Sequence, residues 1–139
     1  MSITTSKILV PIGFSDQSMV ALGQAFNLAK IKKGEIVLLS VIEEQNMMQS
    51  LFLDDNSHEL QKKVNEKLIE IAEEYGTKYG VHVDTMVSKG KVYNQVNEVA
   101  KMIGANLIVM GTNGKPKGGV IKFIGSNAER VVRMAHCPV

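Results

Sequence analysis

Five glycines fall between residues 111 and 125, in the stretch GTNGKPKGGVIKFIG, and Ser126 and Asn127 follow directly. Glycine leaves the backbone bare and adopts positive φ at little cost, and Asn113-Gly114 is a favoured pair for such a turn. The first N–H groups of a helix have no intrahelical partner and carry the positive end of the helix dipole. If Gly125-Ser126-Asn127 opens a helix, its amides can hold an anion while Gly111 and Gly114 close over the ligand. A plainer reading stands beside this one: a tight turn, then a helix capped by the Ser126 hydroxyl. Lys115, Lys117 and Lys122 would neutralise a phosphate chain or simply be solvated loop lysines.

Other phosphate motifs fit poorly. Gly114-Lys115 is followed by Pro116 instead of the Ser or Thr of a P-loop, and Gly13-Phe14-Ser15 lacks the glycine spacing of a dinucleotide fingerprint. No nucleophile or base stands in the glycine-rich stretch, so no catalytic residue is assigned. His58 and His82 fall at a helix start and on a strand, where an ordinary surface or half-buried histidine is expected, and His136-Cys137 is adjacent rather than spaced for a shared metal.

The chain has 139 residues, 45% apolar and 22% charged, which suits a single domain spanning 1–139 with a core of its own. One cysteine allows no internal disulfide. The start, MSITTSK, has no signal-peptide character and no apolar run reaches membrane-spanning length, so a cytoplasmic protein without a membrane partner is expected. Net charge is +2, with four phenylalanines, three tyrosines and no tryptophan, which argues against nucleic acid.

These residues must be positioned by alternating elements. KILVPI (7–12) and EIVLLSVI (35–42) are apolar runs of strand length, and VHVDTMV (81–87) alternates as a half-buried or edge strand does. NLIVM (106–110) is a fourth strand, and Pro138-Val139 look like the start of a fifth. Helices are expected between them. Leu22, Ala25, Phe26 and Ala29 mark one. Leu60, Val64, Leu68, Ile71, Tyr75 and Tyr79 mark the surest. Val92, Val96, Val99, Ala100 and Ile103 mark the third, and Val131, Val132 and Ala135 the last.

Strands alternating with helices imply an α/β sandwich, flavodoxin-like or Rossmann-like, with a parallel sheet of four to five strands, order 3-2-1-4-5, and helices on both faces. The ligand crevice of such a sheet opens where the winding reverses, here between strands 1 and 4. The glycine-rich stretch follows strand 4. Met47, Met48, Leu51, Phe52 and Leu53, in the long connection after strand 2, would serve as a lid, a partner patch or core.

The spacing G111-x2-G114-x10-G125-S126 resembles the nucleotide-binding signature of the universal stress protein family, G-x2-G-x9-G-[ST], with one residue more. The KILVP opening, SVIEE after strand 2 and the closing ERVVRMAHCPV are similar to family positions too, so the resemblance spans essentially the whole chain. It implies ATP, with or without magnesium, in a binding module with slow hydrolysis or none, and a homodimer acting on an unknown protein partner. Carried over by motif, it implies Pro11 and Gly13 near the nucleoside, Val41 at the adenine edge through its backbone, and Met110 and Gly111 at the ribose. Gly114, Gly125, Ser126 and Asn127 would cradle phosphate. Many nucleotide-binding relatives have aspartate where this chain has Gly13, so the alternative implied is a family member that binds no nucleotide and acts through dimerisation and partner surfaces. A phosphoryl-accepting receiver would need an aspartate ending the central strand with acidic residues nearby to hold magnesium, and Asn106-Leu107-Ile108-Val109-Met110-Gly111 offers none; an ATP pyrophosphatase would need a serine- and glycine-rich loop with an embedded aspartate directly after strand 1, of which GFSDQS is only a faint echo.

Overall fold

The computed structural model describes residues 6–13, 16–42, 56–111 and 126–139. Strand β1 (Lys7–Pro11) leads to helix α1 (Asp16–Lys32), then β2 (Glu35–Ile42), α2 (Asn56–Tyr79), β3 (Val83–Lys89), α3 (Val92–Ile103), β4 (Leu107–Ile108) and α4 (Ser126–Met134). The strands form one sheet, ordered β3-β2-β1-β4, and every pairing is parallel. This is the α/β sandwich that the alternation predicts. Ile108 donates its backbone N–H to the Pro138 carbonyl at 2.9 Å, so Pro138 stands where a fifth strand would pair, as a hydrogen bond rather than a strand.

The continuous apolar runs of β1 and β2 are split by the period-two alternation between two cores. Ile8, Val10, Ile12, Ile36 and Leu38 face α1 and α2, packing with Leu22, Phe26, Leu68 and Ile71. Leu9, Val37 and Leu39 face the other way, packing with Val96, Val99 and Ala100 of α3 and Val131 of α4. Burying a side chain of this size contributes about 1.5–3 kcal/mol each, so both faces are needed to hold the middle strands.

Turns at the amino end of the sheet set its register. Gly34 donates to the Ala29 carbonyl at 2.8 Å, and a Cβ at this position would lie 2.6 Å from the Ser6 carbonyl oxygen, so only glycine fits. Gly80, with φ of 69°, closes α2 by donating to Gly76. Strand β3 begins at Val83, two residues later than its alternation suggests: the N–H of Val81 also bonds to the Gly76 carbonyl, keeping Val81 in the helix cap, where it plugs the core. Among the described residues no helix is long and apolar enough to cross a membrane.

Candidate functional site

The carboxyl end of the sheet is shaped by a proline. The β1–β4 ladder pairs Ile8 with Leu107 and Leu9 with Ile108, and Val109 still donates to the Leu9 carbonyl at 3.0 Å. The next rung of a parallel ladder would need an N–H from residue 11, and Pro11 has none. Strands β1 and β4 therefore stop pairing here. On its other side β1 stays tied to β2, because Ile12 donates to the Leu39 carbonyl at 2.8 Å and the buried Ser40 hydroxyl donates to the Ile12 carbonyl at 3.1 Å. The β1–β4 pairing thus ends at Leu9–Ile108, with Val109 bonded back to Leu9, while the β1–β2 side stays tied as far as Ile12.

Pro11 is buried at the top of β1, and Gly13 is exposed just beyond it. Val41 and Met110 are half-buried, and both pack against the Leu9–Leu39–Ile108 cluster, so they stand on one face of the sheet. Gly111, half-buried, follows directly. These five expected site residues come together around the carboxyl ends of β1, β2 and β4. Strand β4, Leu107–Ile108, is shorter than the expected NLIVM: Val109 still bonds to Leu9 and packs against the α1/α2 core, and Met110 packs on the other face.

Helix α4 begins at Ser126, as the glycine pattern predicts, with Asn127 in its first turn. A helix that follows one parallel strand and leads to the next position in the sheet runs back against the strands, which puts its leading amides on the crevice side. Val131 anchors α4 in the α3 face, and Pro138 returns the chain to β4. Gly114, Gly125, the three loop lysines and the Met47–Leu53 cluster lie outside the described residues.

Sequence reasoning missed three features of this face. The Arg130 guanidinium lies 4.8 Å from the centroid of the Tyr93 ring, joining α4 to α3. Asn97, on α3, is 7% exposed, and neither polar atom of its side chain has a hydrogen-bond partner. The Ser88 hydroxyl, on the β3 residue in register with Val41, is buried and unpartnered too. Alternating apolar positions on α3 hinted at Asn97's burial only through its neighbour Val96.

His136 is exposed, and Cys137 is half-buried against the α3 face, where burial pushes its thiol up from the ordinary value. A thiol held protonated is a poor nucleophile. His82 sits at the opposite end of the sheet from the crevice, beside the start of β2.

Residues 4–139 match the model of the universal stress protein family. The universal stress protein MJ0531 of Methanocaldococcus jannaschii is 35% identical, over 96% of this chain and 79% of its own. The universal stress protein YxiE of Bacillus subtilis is 32% identical over 96% of both chains. Among solved structures, the M. jannaschii protein MJ0577 superposes with a TM-score of 0.86 at 27% identity, covering 99% of this chain and 94% of its own. A universal stress protein solved in complex with cAMP (17% identical, TM-score 0.63) and one from Archaeoglobus fulgidus solved in complex with dAMP (18% identical, TM-score 0.66) share the fold. The chain belongs to the universal stress protein family.

Proposed function

We propose that this chain binds ATP or a related adenine nucleotide in the gap beyond β1 and β4, and that the bound nucleotide changes its contacts with a protein partner in a cytoplasmic stress-response or signalling role. The observation that carries this reading is the early end of the β1–β4 ladder at Pro11, with Val41, Met110 and Gly111 gathered around it. Val41 and Met110 supply an apolar wall for a nucleoside, and the leading amides of α4 supply donors for phosphate. The relatives solved with cAMP and dAMP support an adenine nucleotide as the ligand class.

In this reading the protein is a single domain that pairs as a homodimer, and it binds rather than turns over. Any hydrolysis is slow or absent in this reading.

Calorimetric titration with ATP tests the proposal. The parent is expected to bind, and Gly125→Asp, which places a carboxylate where phosphate is expected, to abolish binding. A parent that gives no heat at millimolar ATP overturns the proposal and favours the second reading, a family member working through dimerisation and partner surfaces alone. Gly13 supplies that reading's motivation, because it leaves the position beyond Pro11 without an acceptor. Gly13→Asp is therefore expected to tighten ATP by about 1.5–3 kcal/mol, roughly tenfold to a hundredfold, through a charged hydrogen-bond acceptor at the nucleoside.

A further inference from the structure

At the amino end of the sheet, about 20 Å along β2 from Val41, three metal-capable side chains meet. They are Glu35 at the start of β2, His82 just ahead of β3, and Asp84 two residues further on. One donor atom from each lies within 4.8 Å of the others. We propose that Glu35, His82 and Asp84 form a binding site for a divalent first-row transition-metal ion, of which zinc is the natural probe.

The placement follows from strand geometry. His82 and Asp84 are two residues apart on an extended chain, so they point to the same side. The parallel register pairs Ile36 with Val83, which sets Glu35 beside His82. All three backbones are pinned: Glu35 donates to the Ser6 carbonyl at 2.8 Å, Ile36 donates to the His82 carbonyl at 3.0 Å, and Asp84 is paired with Val37. A site built on paired strands loses little freedom when it closes on an ion.

The spacing also fits. Zinc binds imidazole nitrogen and carboxylate oxygen at about 2.0–2.2 Å, which for tetrahedral geometry puts neighbouring donors roughly 3.4 Å apart. His82 Nε2 and Asp84 Oδ1 stand 3.3 Å apart already. Glu35 closes the rest by a change of side-chain rotamer. One imidazole and two carboxylates are donors of the borderline kind that suits zinc and its neighbours; magnesium and calcium take oxygen ligands. His82 and Asp84 are 67% and 61% exposed, so solvent supplies the remaining coordination and the ion has open access.

The test is zinc chloride titrated into the full chain, stripped of metal and free of nucleotide, followed by calorimetry and by the nitrogen resonances of the three histidine imidazoles. The expected result is one equivalent bound with the His82 resonance shifted, and affinity at least tenfold weaker in His82→Gln and in Glu35→Gln. The resonance readout needs only the parent protein, so the outcome does not depend on the variants folding. No zinc binding, an unmoved His82 signal, or binding that survives His82→Gln and disappears in His136→Gln overturns the proposal. Nucleotide binding lies at the other end of the sheet, and a failed zinc titration leaves it untouched.

Discussion

On the α1/α2 face the core is closed by rings: Phe26 lies 5.4 Å from both Tyr75 and Tyr79, and those two stack on each other at 6.2 Å. The rings are tilted or offset, the arrangement aromatic pairs favour, and their burial is matched by aliphatic neighbours on both middle strands. The α3/α4 face is closed chiefly by valines, leucines, alanines and Ile108, with Tyr93 packed at its edge, and it also contains Asn97 without a hydrogen-bond partner. Only that second face carries Val41 and Met110. Both faces bury polar atoms, then, but Ser40, which alternates with Ile36 and Leu38 on the α1/α2 face, is hydrogen-bonded to Ile12, whereas Asn97 and Ser88 on the other face have no partner. Leaving such a group buried and unpaired costs about 1–3 kcal/mol.

Phe26→Ala gives the largest expected effect. It removes a fully buried ring that touches both tyrosines, and denaturant unfolding should show a loss of about 3–5 kcal/mol, with nucleotide affinity of the folded fraction unchanged. Affinity falling along with stability would mean that the two faces are not separable. Asn97→Leu comes next: it replaces an unpaired buried amide with an apolar group of similar size, and stability should rise by about 1–3 kcal/mol. A destabilised Asn97→Leu protein would show that the asparagine is satisfied in solution and that the asymmetry between faces is smaller than described. The smallest effect is expected from Arg130→Ala. Arg130 is exposed, so losing its contact with the Tyr93 ring should cost only about 0.5–1 kcal/mol, read in the same unfolding experiment.

Much of the fold was legible because its signals are local. The apolar stripe from Val64 through Leu68 and Ile71 to Tyr79 has helical spacing, and helix α2 forms over it. The run EIVLLSVI is bounded by Gly34 and is β2 with the same limits. Strand β3 was harder, since its last residues, Ser88 and Lys89, gain strand structure by pairing with Val41 and Ile42 rather than from their own propensity. The place where a crevice is expected follows from topology alone, whereas the opening of α4 at Ser126 agrees with the glycine pattern. Contacts between distant segments left no local trace. Tyr93 with Arg130, the burial of Asn97, and the meeting of Glu35 with His82 and Asp84 all depend on register and helix packing, which a single sequence does not display.

The ring of Pro11 makes the early end of the β1–β4 ladder a property of covalent structure. No breathing motion is required to unzip β1 from β4 at this level, because the donor that would fasten them was never there. Under the proposed reading, a nucleotide at this edge would have no β1 donor at residue 11 to displace. Replacing Pro11 by an ordinary residue would restore the missing donor and let the sheet seal itself one step further, so that admission would then compete with the protein's own backbone.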